Sequence, residues 1–338
     1  MRAIVCREYG PPEGLVLQEL PDPRPGPGQA LVEVRAAAVN FPDLLILRNR
    51  YQLSAPLPFT PGSEFAGVVR EVGPGVTRVA PGDRVFGAVF VGAFAERLAV
   101  AAEGLTGVPP AVDFEAAAAF GVAYGTAWAG LKSLARLAAG ETLAVLGAAG
   151  GVGLAAVELG RILGARVVAC ASSPEKLAAC RAAGADELVN YEAEDLKARL
   201  KELTGGRGAD VVFDPVGGRH AEPALRATGW RGRYLVVGFA SGEIPQIPLN
   251  LVLLKGAQIL GLSIGPFLAN APDEGRRNRE ELLALLAAGR IRPRVGSVYA
   301  LEEAARALRE VAERRARGKV LIRPAPAPPA GEPPVPSA

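Results

Sequence analysis

The stretch "TLAVLGAAGGVGLAAVELGRILGARVVACASSPEKL", Thr142 to Leu177, constrains the fold more tightly than any other part of the chain. An apolar run ends in a turn of small residues. An amphipathic helical pattern follows, with Glu158 and Arg161 on its polar face, and then a second apolar run. That succession reads as strand, helix and parallel strand, and a parallel pair needs cover on both faces of its sheet. A dinucleotide-binding turn has the same physical requirements: a strand leading in, small residues at the bend, glycine where backbone meets the pyrophosphate, and a helix whose first amides face the anion. Aligned to G-x-G-x-x-G, the chain offers Ala148, Gly150 and Gly153, so alanine stands at the first position, and Gly151 and Val152 complete the helix entry. These five residues are the predicted pyrophosphate cradle.

At the end of the second strand an NAD-preferring site would hold an Asp or Glu for the ribose 2′-hydroxyl. This chain has "CASSPEKL" there. Ser172, Ser173 and Lys176 supply donors and a positive charge with no carboxylate at the strand tip, which suits a 2′-phosphate and makes NADPH the predicted cofactor. Ser173 followed by Pro174 equally reads as a plain helix cap, and both readings stand together.

Up to about Val100 the chain is a series of short alternating stretches divided by Pro and Gly, which predicts a β-rich lobe. An Ala-rich helical segment begins near Phe114, and from Thr142 apolar strands and helices alternate. The predicted strands are 142–147, 166–170, 187–190, 209–214, 233–238 and 258–262, the first four each followed by a helical pattern of ten or more residues. Gly164 and Gly184 sit where a helix must stop before the next strand. The fold class is therefore α/β, a doubly wound parallel sheet of Rossmann type with a β-rich second domain. Expected boundaries are residues 1–120 and 263–325 for the β-rich domain, 121–262 for the nucleotide-binding domain, and 326–338 for a Pro-rich disordered tail.

Charge and cysteine usage exclude several functions. Lys+Arg 38 against Asp+Glu 35, with no basic stripe carrying aromatics, recommends no nucleic acid, and "ERRARGK" reads as a solvated helix end. Cys6, Cys170 and Cys180 make neither a disulfide framework nor a C-x-x-C clamp, which suits a reducing cytoplasm. The uncharged runs are too short and too broken by Gly to span a membrane, and the N-terminus lacks a signal-peptide layout, so a soluble cytoplasmic protein is expected.

Several motifs in order, "AAAVNFPDLLILRNRYQLSAPLPFTPGSEFAGVV", "YGTAW", "GAAGGVG", "GGRGADVVFDPVGG" and "GKVLI", resemble the zinc-free branch of the medium-chain dehydrogenase/reductases, near the NADPH:quinone oxidoreductases related to zeta-crystallin. The resemblance covers nearly the whole chain apart from the tail and implies that the β-rich domain is GroES-like. Zinc-dependent members carry Cys where this chain has Asn40 and His where it has Ser63, so no metal is expected. The resemblance further implies a substrate cleft between the lobes lined by Asn40, Asp43 and Tyr51, the candidate catalytic residues. It places Thr126 near the nicotinamide carboxamide, Lys176 and Tyr191 around the 2′-phosphate and adenosine, and Phe239 and Lys319 along the cofactor.

Read from the residues themselves, Tyr51 in its Pro-flanked loop suits either a hydroxyl aimed at substrate or one packed on a backbone carbonyl. Asn40 and Asp43, three apart, equally suit a helix cap, and His220 reads as a surface or cap residue. The implied reaction is NADPH-dependent reduction of a quinone or similar conjugated carbonyl. A zinc-independent 2-enoyl thioester reductase and a non-catalytic, crystallin-like NADPH binder remain open. The apolar run "IPLNLVLLKGAQILGLSIG" predicts an edge strand that pairs across a two-fold axis, giving a homodimer or tetramer.

Overall fold

Four strands from the first 101 positions, joined by Thr106–Gly107, Val295–Ala300 and Lys319–Arg323, build a seven-stranded sheet around one long strand, Gln29–Val39, which is buried along most of its length. That strand pairs antiparallel with Glu64–Val72, Arg97–Ala101 and Lys319–Arg323. Register matters here: Ala38 lies opposite Glu64 and Val39 opposite Val320. The next residue out, Asn40, is therefore delivered to the same place as Glu64 and Lys319. Phe65, Phe94, Leu47 and Leu105, each almost wholly buried, fill the core behind them, and burial of each such side chain is worth about 1.5–3 kcal/mol. The structure, a computed structural model, describes residues 1–324, and the predicted tail lies outside them.

Two compact units are present, Met1–Val122 with the chain from Arg292 onward, and Ala123–Ile291. The first boundary falls two residues from the expected 120/121. The return lies at 291/292, not at 262/263, because the helix Pro272–Ala287 is anchored inside the second unit. Its Glu281 accepts from Trp128 Nε1 (3.0 Å) and Lys132 Nζ (2.5 Å), and Asn278 donates to Ser133 Oγ (2.9 Å). The Ala-rich segment is broken into Phe114–Ala118, Gly121–Trp128 and a π-helical run Ala129–Leu134. At the break the Val122 N–H donates to Glu64 Oε1 at 2.7 Å, a partner outside the helix.

The second unit carries six parallel strands: β1 (Thr142–Leu146), β2 (Arg166–Ala171), β3 (Glu187–Asn190), β4 (Ala209–Asp214), β5 (Thr228–Val236) and β6 (Gln258–Gly261). Their order is β3-β2-β1-β4-β5-β6, the doubly wound arrangement whose order reverses beside β1. Helices α1 (Gly151–Ile162), α2 (Pro174–Ala182), α3 (Leu196–Leu203) and α4 (Ala221–Ala227) follow the first four strands. Only α1, with 12 residues, exceeds the ten expected; α2, α3 and α4 have 9, 8 and 7. Gly164 and Gly184 adopt positive φ, +82° and +102°, at the ends of α1 and α2. Strand β5 starts five residues before the predicted position, with an irregularity between Thr228 and Arg233. Among the described residues no helix is long and apolar enough to cross a membrane.

Candidate functional site

The topology sets five loops at one edge of the parallel sheet, past the C-terminal ends of its strands. After β1 the chain turns at Gly147, with φ +56°, and Ala148 follows fully buried, its N–H donating to Cys170 O of β2 (3.1 Å). The bend that the fingerprint assigns to its first position is therefore made one residue earlier, and Gly147 was missed in the sequence for that reason. Gly150 is the N-cap of α1 and has no side-chain cap, leaving the amides of Gly151, Val152 and Gly153 at the helix mouth. Glycine at 153 is enforced by crowding, since a Cβ there would lie 2.3 Å from Gly147 O and 2.8 Å from the Ala148 backbone. At Gly150 the nearest atom to a Cβ is Gly147 O at 3.4 Å, an ordinary contact. The glycine at 153 therefore lets helix pack on strand, whereas packing leaves room for a Cβ at 150.

Past β2, Ser173 caps α2, its Oγ accepting from the Lys176 N–H (3.4 Å), and Lys176 Nζ donates to Ser172 Oγ at 2.8 Å. The cap reading of Ser173 is realised, and the cap folds the lysine over the strand tip. Past β3, Tyr191 lies against the His220 ring with centroids 4.4 Å apart. His220 is 9% exposed and serves as N-cap residue of α4, a buried cap and not a surface group. Past β4, Asp214 accepts from the Val216 and Gly217 N–H groups (2.7 and 2.9 Å) and from the Tyr234 hydroxyl, shaping the "DPVGG" loop. Burial pushes its carboxyl up, against the Tyr234 hydroxyl and the two loop N–H groups. Past β5, Phe239 packs so closely on Gly217 that a Cβ there would sit 2.7 Å from its ring.

Thr126 is buried in the helix Gly121–Trp128. The helix is pinned on both sides of it: the Tyr124 hydroxyl donates to Glu158 Oε2 on α1 (2.6 Å), and Trp128 is held by Glu281. The cysteines offer no nucleophile. All three are buried thiols, and burial pushes Cys170 and Cys180 far up, the latter to about 12.

The first unit holds a separate buried polar cluster. Lys319 Nζ donates to Asn40 Oδ1 (2.7 Å) and Glu64 Oε2 (2.9 Å), and Asn40 Nδ2 donates to Glu64 Oε2 (3.2 Å). Lys319, expected along the cofactor, is thus placed with the catalytic candidates. Asn40 is also the N-cap of the helix Phe41–Leu47, its N–H donating to Asp43 Oδ2 at 2.7 Å, so the capping alternative is realised. Asp43 is 1% exposed and its Oδ1 has no hydrogen-bond partner. Burial drives its carboxyl up to about 6, against the Asn40 N–H, the Ser63 hydroxyl and the Lys319 charge. Glu64, which binds three parts of the first unit, carries no sequence signal beyond its place in "PGSE". Tyr51 is half-buried and stacked on Phe90, centroids 6.4 Å apart. The tyrosine bonded to a carbonyl is a different one, Tyr9, whose hydroxyl donates to Ala55 O (2.6 Å). The Tyr51 hydroxyl has no hydrogen-bond partner among the described residues. No group of three or more His, Cys, Asp or Glu is placed to hold a metal ion among those residues.

Residues 26–110 match the family described as Alcohol dehydrogenase GroES-like domain, and residues 151–286 the family described as Zinc-binding dehydrogenase. The chain is 38% identical over 325 residues to quinone oxidoreductase-like protein 2 homolog of Nematostella vectensis, covering 95% of this chain and 88% of that protein. It is 36% identical to quinone oxidoreductase of Pseudomonas aeruginosa, over 94% of this chain and 97% of that one. The chain belongs to the quinone oxidoreductase family of medium-chain dehydrogenase/reductases. A solved structure of this family, Escherichia coli quinone oxidoreductase complexed with NADPH, matches with a TM-score of 0.89 at 31% identity, covering 96% of this chain and all of that one (100%). The family's two-part architecture, a GroES-like domain and a Rossmann sheet, is the one described above.

Proposed function

We propose that this oxidoreductase reduces quinones or similar conjugated carbonyls with NADPH, by hydride transfer and without zinc. The observation that carries the cofactor is the corner past β2, where Lys176 lies over Ser172 and no acid stands at the strand tip. Gly151, Val152 and Gly153 N–H groups would hold the pyrophosphate, Lys176 and Ser172 the 2′-phosphate, Tyr191 the adenosine, and Thr126 and Phe239 the nicotinamide half. The open helix mouth at Gly150 fits such a group. Bound there, NADPH supplies the hydride.

The residues do not fit a catalytic zinc. Positions 40 and 63 hold an amide and a hydroxyl, poor donors for a tetrahedral site, and the Lys319 ammonium takes up the acceptors that Asn40 and Glu64 offer. In this reading Lys319 and Glu64 fix Asn40, Asn40 and Asp43 fix the start of the helix that leads to Tyr51, and the Tyr51 hydroxyl donates to the carbonyl oxygen where charge accumulates. The same free hydroxyl would suit a proton donor to a 2-enoyl thioester, so the substrate is decided by assay. NADPH oxidation is followed with a simple quinone and with crotonyl-CoA. Turnover of the quinone is expected; turnover of the thioester alone would overturn the quinone reading, and tight NADPH binding without turnover of either would overturn catalysis. Three unpaired buried cysteines suit the cytoplasm, and the exposed apolar side chains beside β6 suit a homodimer.

A further inference from the structure

We infer that the second unit carries an oxyanion-binding pocket at the end of its sheet opposite the nucleotide loops, and that two arginines, Arg136 and Arg231, take a doubly charged phosphate group there. A depression of about 540 Å³ is lined by Ser133, Arg136, Glu141, Arg231, Arg233 and Gln258 among others. Glu141 immediately precedes β1, Gln258 opens β6, Arg231 lies in the entry half of β5, and Arg233 pairs with Gln258. All three strands are parallel, so this is the N-terminal edge of the sheet. The fingerprint turn and the Ser172–Lys176 corner are at the other edge.

Two features set the pocket apart from an ordinary basic surface. Arg136 and Arg231 both have positive φ, +49° and +58°, and only four non-glycine residues in the described chain do. This conformation disfavours residues with a Cβ, and at each place the local turn asks for glycine. Arg136 follows the π-helical run, where Ala135 N–H donates to Gly130 O and Leu137 N–H to Leu131 O (2.9 and 2.8 Å). Arg231 lies between Gly229 and Gly232, in the interruption of β5 before pairing resumes at Arg233. Backbone held in a disfavoured region is a marker of function when several such residues converge, and these two converge on one depression.

The second feature is charge. Arg233 is fully committed: its Nη1 and Nη2 donate to Glu141 Oε1 and Oε2 (2.8 and 2.6 Å), and its Nε to Ala135 O (3.0 Å). That bidentate pair neutralises the one carboxylate lining the pocket, and Arg233 holds the Glu141 carboxyl below its usual range. Arg136 and Arg231 have no hydrogen-bond or ion-pair partner among the described residues. A net charge of two is left facing the depression, with the Ser133 hydroxyl and Gln258 amide as further donors. Guanidinium pairs of this kind match phosphate oxygens.

The test is thermal melting of the full chain against inorganic phosphate and against glycerol 3-phosphate, with chloride holding ionic strength constant. The melting temperature should rise by about 2 °C at ten times the dissociation constant. A larger response to the ester assigns an organic phosphate as the source, and an equal one assigns free phosphate. The Arg136→Gly/Arg231→Gly variant should melt no lower than wild type without phosphate, because glycine relaxes both turns, and should lose the rise. The Arg136→Lys/Arg231→Lys variant keeps the charge and should retain part of it. Lys176→Ala should keep it whole. No rise in wild type, an equal rise in the glycine variant, or its loss in Lys176→Ala would each overturn the assignment, the last by moving the phosphate to the nucleotide corner.

Discussion

Lys176 is the residue on which cofactor choice turns. Its ammonium is carried to the β2 tip by the Ser173 cap and held on the Ser172 hydroxyl. A charge-assisted bond to a phosphate is worth about 1.5–3 kcal/mol, roughly 10- to 100-fold in affinity. Lys176→Ala should therefore weaken NADPH by that factor and NADH by less than about twofold, read by fluorescence titration; equal losses would contradict the 2′-phosphate role. Asp43 makes a second prediction. Its folded pKa, about 6, stands above the usual carboxylate value, so the folded chain binds this proton more tightly than the unfolded one. Stability is present below about pH 4 and lost as pH rises towards 6, by about 3 kcal/mol in full. Asp43→Asn keeps an acceptor for the Asn40 N–H and removes the ionisation, so its denaturation midpoint should gain on wild type between pH 4 and 7. A constant difference across that range would refute the buried-carboxyl account. The residues legible in sequence were those fixed by local chemistry, such as Ser173 and Lys176. The bonds of Lys319 to Asn40 and Glu64 were not legible, because these partners come from far along the chain and only the sheet register brings the three together.

At the scale of the elements, the phosphate turn separates two uses of glycine that look alike in "GAAGGVG". At position 153 an added Cβ would meet backbone at 2.3 Å, and no flexible group can yield. At position 150 it would meet only an ordinary contact. Gly153→Ala should therefore lower the melting temperature and NADPH binding together, on the scale of an overpacked core, about 1–3 kcal/mol. Gly150→Ala should melt near wild type yet lose NADPH affinity, because its methyl stands at the helix mouth. If Gly150→Ala binds NADPH as wild type does, the pyrophosphate does not approach there. The strand–helix alternation was readable because apolar runs and Gly stops are local signals, and all six strands fall where periodicity put them to within a few residues. The early start of β5 and the division of the 114–134 segment were not readable. The first depends on Arg231 taking a glycine-like conformation, the second on a distant carboxylate, Glu64, capturing the Val122 N–H.

For the molecule as a whole, the informative surface is the apolar one. Leu253, Leu249, Ile244, Trp230 and Leu254 are each at least 70% exposed, and all lie between residues 230 and 254 of the second unit. Beside them β6 is bonded on one side only, to β5, so its other edge presents unpaired backbone groups. Large apolar side chains next to an open strand edge invite either cover by a partner or aggregation. The helix Asn250–Lys255 sharpens the point: it buries Leu251 against its own unit yet turns Leu253 and Leu254 outward. Pairing of β6 with its copy about a two-fold axis would satisfy the edge and cover the leucines in one step, since an isologous contact uses the same patch twice. Sedimentation at micromolar concentration should thus give twice the 34.9 kDa chain mass, and Leu253→Glu with Leu254→Glu should give the single-chain mass while the far-ultraviolet dichroism is kept. The dimer reading fails if wild type sediments as one chain, and the surface is wrongly assigned if the double variant stays paired, because four buried carboxylates, two from each chain, would cost more than the contact provides.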